Sequence, residues 1–453
     1  MLTKIYTLLF AVLMFSSLLG QNYQAPLYNY DSLFNISYGS TTNFAGETEN
    51  LLFDLYKPKS DGNCKRPVVI LIHGGAWVAG SKEDADLIYM SRYFAKRGYV
   101  VANMNYRMGM HKPSNWSLYA LCDPNLFSPC AYISDSAEVY RANYRAMQDT
   151  KGLIRFMKER SVIDSTDIDN IFLVGESAGG FIALQTALMT NESQKPSNCN
   201  GISNAPTPDS DFSQYNCSSL VTNFERPDLG SVEGELNLNG YDASVKGVGN
   251  FFGGILDISL LNNNSNSPFL YLYHQGSDII VHYNYGKLLG RTSYECFAAV
   301  NLCQPYYFYP NAHGSKGIQN ALTSIGNTNF IADIIENYEY QNDCFDNGHS
   351  IDFISNRLNT MNSNFANIIG ISGNNPSTNC ETSVENLEEL AYLFPNPVQS
   401  ILHVTHSEER KLIFNSMGKL IMQTKEKEID CSDLQAGLYI IQIGNHFYRF
   451  SKI

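Results

Sequence analysis

The chain has 453 residues, of which 44% are hydrophobic and only 17% charged. This is enough apolar material for a large buried core, and the length suggests one large domain plus a small one. A formal net charge of −13 argues against nucleic acid or an anionic membrane surface as a partner.

Residues 1–20 read as a secretory signal peptide. Lys4 supplies the positive start, Ile5 to Leu19 is mostly apolar, and Gly20 offers a small residue at a cleavage point before Gln21. No later stretch reaches the ~18 uninterrupted apolar residues of a membrane-spanning helix, so no stable transmembrane segment is expected. The ten cysteines all follow residue 20, an even number in an exported chain. Close spacing pairs Cys122 with Cys130, Cys199 with Cys217, and Cys296 with Cys303 as candidate bridges, while Cys64, Cys344, Cys380 and Cys431 have no assignable partner. No C-x-x-C and no His/Cys cluster at zinc spacing appears, so no structural metal is expected.

From there strands and helices alternate, the pattern of a mostly parallel sheet covered on both faces. Early strands are expected at Asn50–Tyr56 and Pro67–Ile72, the second apolar through Val68-Val69-Ile70-Leu71-Ile72 and so buried on both faces. His73-Gly74-Gly75-Ala76-Trp77 follows directly, and its glycine pair leaves backbone N–H groups unobstructed, as an oxyanion hole requires. A strand at Val100–Arg107 precedes an insertion over residues 109–136, then a helix near Ala137–Glu159 with apolar residues at helical spacing. Ile171–Val174 leads into Gly175-Glu176-Ser177-Ala178-Gly179, a G-x-S-x-G string in strand–turn–helix context. The glycines there allow a sharp turn that carries a nucleophilic serine.

A second insertion covers residues 191–243, and both insertions are candidates for lid or specificity elements. Strands follow at Val245–Phe252 and Phe269–His274, then the turn Gln275-Gly276-Ser277-Asp278. The last strand is expected at Ile331–Tyr340 and the closing helix at Ile354–Ile369. A turn-rich linker spans residues 371–385. Beyond it, residues 386–453 carry short β-patterned runs, among them Ile401–Val404, Lys411–Phe414 and Leu438–Ile443.

The HGGAW and GESAGG strings resemble the α/β-hydrolase superfamily, specifically its carboxylesterase and hormone-sensitive-lipase-like branch. The resemblance implies an α/β-hydrolase fold over residues 21–370 and a serine hydrolase acting on carboxylic esters without a cofactor. It implies catalytic residues in the order Ser, acid, His, and a structural role for His73. Ser177 is then the nucleophile, with an oxyanion hole from Gly74, Gly75, Ala76 and Ala178. Asp278, in a His274–Val281 string similar to the family's acid loop but with its glycine one place late, is the acid; Asp257 is the rival one strand earlier. Glu176 is given no direct catalytic role.

Three histidines follow Asp278 in this region. His282 is too close in sequence to return from another loop, which leaves His313 and His349. His349 is preferred as the base, because a strand, a histidine loop and one covering helix then close the domain. A peptidase or amidase would use the same triad, and a non-catalytic binding protein could share the scaffold.

Phe394-Pro395-Asn396-Pro397-Val398 and Asp433-Leu434-Gln435-Ala436-Gly437-Leu438-Tyr439 resemble the C-terminal sorting domain of type IX secretion, a small β-sandwich-like module. This implies export through the periplasm to the cell surface or the medium, with the secretion machinery as a partner. The substrate is expected to be a small-molecule or carbohydrate-linked ester.

Overall fold

The computed structural model describes residues 23–112, 132–203, 225–264, 266–290, 308–336, 348–371, 393–394, 396–404, 410–415, 419–443 and 446–453. The expected signal peptide, the linker, the bridges Cys122–Cys130 and Cys296–Cys303, and much of both insertions lie outside the described residues. By contacts the chain divides into two units, Met1–Asn379 and Cys380–Ile453.

The large unit is built on an eight-stranded sheet of order β1-β2-β4-β3-β5-β6-β8-β11. Its first two strands, β1 (Asn29–Thr42) and β2 (Thr48–Lys59), form an antiparallel hairpin, and β2 also runs antiparallel to β4. From β3 (Arg66–Ile72) and β4 (Val100–Met104) through β5 (Thr166–Glu176), β6 (Gly247–Phe251), β8 (Phe269–Gln275) and β11 (Phe330–Ile335) all neighbours are parallel.

The reason is legible in β3. Val68, Ile70 and Ile72 enter one buried cluster while Val69 and Leu71 enter another, because successive side chains point to opposite faces. The first cluster is closed by α2 (Ala137–Glu159) and α3 (Ala178–Leu188), the second by α1 (Ala85–Ala95) and α5 (Ile354–Ile371). Each such aliphatic side chain contributes roughly 1.5–3 kcal/mol by leaving water. A three-stranded sheet of order β7-β10-β9 (Gly254–Ile255, Asn311–Gly314, Tyr285–Lys287) and helix α4 (Ser315–Ser324) lie between β6 and β11 in the chain.

Several expectations need correction. The edge strand β1 was not foreseen, because its burial pattern is mostly exposed and its apolar residues are scattered. The strand from Val100 stops at Met104, before Tyr106 and Arg107. The last strand ends at Ile335, and residues 337–340 lie outside the described residues. Cys199 is a free, buried thiol, so the bridge to Cys217 is not formed. Its sulfur lies 3.7 Å from the Tyr140 carbonyl oxygen, and burial pushes the thiol pKa up to about 12, which keeps it out of thiolate exchange. Cys64 is disulfide-bonded to a partner outside the described residues.

The small unit holds a three-stranded sheet, β12-β13-β16 (Leu393–Phe394, Ile401–Val404, Glu428–Asp430). It also has a four-stranded antiparallel one, β15-β14-β17-β18 (Leu420–Thr424, Lys411–Asn415, Gly437–Ile443, His446–Lys452). Val398, Leu402, Ile413, Ile441 and Phe450 form its core.

Candidate active site

The site is assembled at the carboxyl ends of the parallel strands, where loops from β3, β5, β8 and β11 meet. Ser177 stands at the turn between β5 and α3 with φ 52° and ψ −122°, a conformation a non-glycine residue adopts at a cost of about 1–3 kcal/mol. The turn is held by the Ser177 N–H donating to the Phe251 carbonyl oxygen at 2.9 Å. Its glycines are steric necessities: a Cβ on Gly175 would lie 2.1 Å from the Gly179 carbonyl oxygen, and one on Gly179 equally close to that of Ile72.

Three side chains expected from distant parts of the sequence converge here. His349 Nε2 is 2.8 Å from Ser177 Oγ, and its Nδ1 is 2.8 Å from Asp278 Oδ2. Gly348 allows the histidine loop to approach, with φ +68° and a missing Cβ that would sit 2.3 Å from Ser277 Oγ. The Phe252 ring packs edge-on against His349, centroids 4.5 Å apart. Asp278 is fully buried; its Oδ1 accepts from the Ile280 and Val281 amides at 2.8 and 2.9 Å. Burial alone would raise its pKa, but His349 and His274 outweigh that and hold the carboxyl below the usual range.

His274 is the group that the sequence reading missed. It is fully buried, and its Nε2 lies 3.0 Å from the same Asp278 oxygen that His349 contacts and 2.9 Å from the Val281 carbonyl oxygen. The Ser315 amide donates to His274 Nδ1 at 3.3 Å, which fixes the ring proton on Nε2. The signal was present, since His274 opens the string that ends at Val281.

The rivals are engaged elsewhere. His313 sits on β10 with its ring 4.5 Å from that of Tyr285, His282 Nδ1 accepts from the Asn284 amide, and Asp257 caps the turn at Ser259.

The loop after β3 lies against the serine. A Cβ on Gly74 would come 3.1 Å from Ser177 Cβ, and Gly75, Ala76 and Trp77 all have positive φ, at +100°, +51° and +59°. Trp77 is buried and donates its Nε1–H to Asn143 on α2, which anchors the turn. Ala178 is the first residue of α3, so its N–H has no partner within the helix and adds to the positive end of the helix dipole. His73 is fully buried, stacked on Tyr106, with Nδ1 2.8 Å from the Gly74 carbonyl oxygen. Burial pushes the pKa of Glu176, beside the serine, up to about 8, helped by Asp86 and Asp84.

Ala76, Trp77, Ser177, Ala178 and Phe181 line a cleft closed by Leu288, Leu289 and Tyr309. Its free volume is ≈ 20 Å³, room for about one water. No group of three or more His, Cys, Asp or Glu among the described residues could hold a metal ion. No helix among them is long and apolar enough to cross a membrane.

Residues 53–119 match the BD-FAE family, and residues 392–452 match the secretion system C-terminal sorting domain. The human bile salt-activated lipase is 30% identical over 149 residues, which is 31% of this chain; the chain spans 17% of that relative's length. Among solved structures, esterase 2 of Thermogutta terrifontis phosphorylated by paraoxon aligns at 14% identity and TM-score 0.42, covering 75% of this chain and 94% of that one. A bifunctional GH43-CE protein of Bacteroides eggerthii aligns at 16% identity and TM-score 0.42, covering 74% and 35%. The sorting domain marks the chain for type IX secretion, to the cell surface or beyond it. The large unit thus has a mostly parallel sheet covered by helices and matches the BD-FAE family over residues 53–119, and the small unit matches the secretion system C-terminal sorting domain over residues 392–452.

Proposed function

We propose that the exported protein is a serine carboxylic-ester hydrolase with Ser177 as nucleophile, His349 as base and Asp278 as the acid that orients it. One observation carries this reading: the unbroken line from Ser177 Oγ through both nitrogens of His349 to Asp278. His349 takes the hydroxyl proton as Ser177 Oγ bonds to the ester carbonyl carbon, and Asp278 stabilises the imidazolium that forms. The negative oxygen of the tetrahedral intermediate takes hydrogen bonds from the Ala178 N–H and from one or two of the N–H groups of Gly74, Gly75 and Ala76. Collapse expels the alcohol, protonated by His349, and leaves an acyl-serine. Water activated by the same imidazole then attacks it, releases the acid and restores the serine.

The substrate is a small-molecule or carbohydrate-linked ester. The tight cleft beside Ser177, walled by Trp77, Phe181 and Tyr309, favours a short acyl group. Hydrolysis of p-nitrophenyl esters of increasing chain length, run beside acetylated and feruloylated xylan, tests the reading. We expect acetyl and propionyl esters to be cleaved fastest, and Ser177→Ala to lower turnover on the order of 10⁶-fold. Retention of more than a few per cent of the rate by that variant would rule out Ser177 as the nucleophile.

A further inference from the structure

A second cavity, of ≈ 310 Å³, lies among the β1–β2 turn, the chain after β4, helix α2 and the segment around Asp228. It shares no lining residue with the cleft at Ser177. Its walls include three buried arginines, Arg107, Arg141 and Arg145. A buried guanidinium normally keeps a carboxylate beside it, because an unpaired charge away from water is costly.

Arg107 obeys that rule, with Asp149 Oδ1 2.7 Å from its Nη2. Nearby Arg226 does so too, with Asp135 and Glu138 at 2.7 and 3.2 Å. The other two do not. Arg141 donates to the carbonyl oxygens of Asn198, Asn200 and Pro227 and has no carboxylate within ion-pair distance among the described residues. Arg145 is only 3% exposed; it gives one hydrogen bond, from Nη2 to the Gly109 carbonyl oxygen at 2.7 Å, and its Nε has no partner. Burial pushes its pKa down to about 10, so it remains charged at neutral pH. Glu138 and Glu49 act on it only from beyond contact distance, Glu138 being held by Arg226 and the His111 amide, and the Arg145 guanidinium carbon lies 5.9 Å from the Phe44 ring centroid.

We propose that this cavity is a binding site for one carboxylate or phosphate group carried on a hydroxylated ligand of monosaccharide size, with Arg145 as its principal anchor. Size excludes a bare ion as the natural occupant, since the cavity holds on the order of ten waters at ~30 Å³ each. The carboxylates of Glu225, Asp228 and Glu235 also line it, and all three are exposed. They oppose a polyanion and accept hydrogen bonds from hydroxyls, while Thr41 offers a hydroxyl of its own. An anion against Arg145 would receive charge-assisted hydrogen bonds, the strongest the site can offer.

Calorimetric titration of the full chain with glucuronate, glucose 6-phosphate and glucose, at matched ionic strength, tests the proposal independently of ester hydrolysis. We expect saturable binding of at least one of the two acids, at least tenfold tighter than glucose; the acid that binds better identifies the anionic group. Arg145→Met is expected to weaken that binding at least tenfold and to raise the melting temperature of the unliganded protein, since it removes a buried charge with no carboxylate beside it. If the Met variant does not fold, Arg145→Lys, which keeps the charge but loses the fork, is expected to weaken binding in the same sense. Binding of neither acid, glucose binding as tightly as both, or unchanged affinity in the folded variant would overturn the proposal.

Discussion

Two imidazoles meet on one oxygen of Asp278, and they do different work. In the proposed mechanism His349 exchanges a proton with the serine, whereas His274 is locked as a donor by the Ser315 amide. Removing His274 leaves the buried carboxylate one charged hydrogen bond short, worth roughly 1.5–3 kcal/mol. His274→Leu should therefore lower turnover about 10- to 100-fold with KM little changed, read by steady-state kinetics on a short ester. The two candidate bases separate more sharply. His349→Ala should be almost inactive and His313→Ala close to wild type; the reverse result would exchange their roles. Glu176 supplies a pH prediction. Its folded pKa of about 8 lies above the unfolded value near 4.3, so between those values the folded state holds the proton more tightly. Stability from this group is fully present below the unfolded value and is lost as pH rises through 8. Melting temperature should fall across that window, and Glu176→Gln should flatten the fall.

At the scale of elements, two turns decide whether the site exists. The loop after β3 passes through three consecutive residues with positive φ, and Gly75 is the one that cannot change: a Cβ there would lie 2.0 Å from the Ala79 carbonyl oxygen. Gly75→Ala should displace the N–H groups facing the reacting carbonyl and cost about 10²–10³ in turnover, while far-UV circular dichroism stays native. The loop carrying His349 depends likewise on Gly348. Neither the loop after β3 nor the serine turn between β5 and α3 is stabilised by its own hydrogen bonds alone. Trp77 is tied to α2 through Asn143, and Ser177 to β6 through Phe251, so the strain is borne by packed helices and strands.

At the scale of the whole molecule, the two units have separate hydrophobic cores. Removal of residues from about 385 onward should leave ester hydrolysis intact and prevent appearance at the surface or in the medium of a type IX-competent host. Fractionation with activity assays checks both halves of that statement. Loss of activity in a truncated chain that still folds would make the small unit part of the working enzyme.

The amino-acid sequence by itself determined whatever local chemistry dictates. The all-apolar run of β3 announced a strand buried on both faces, Gly175 and Gly179 announced a tight turn around Ser177, and the short strands after the linker announced a separate β module. These signals are short-range: side-chain alternation, the absence of a Cβ, and composition. Only the tertiary structure brought His349 and Asp278, 71 positions apart, to 2.8 Å from one another and tied both to Ser177. A sequence offers several histidines at acceptable spacings, and only the three-dimensional path of the loops selects among them. The same holds for His274, whose position beside Asp278 depends on β8 ending there, and for Cys199, which packing against α2 leaves unpaired. The arginine-lined cavity is the extreme case. Its walls come from β1 and the turn after it, the chain after β4, α2 and a loop near residue 228, so no local stretch of sequence contains it, and an arginine with no carboxylate in contact becomes apparent only when those walls are assembled.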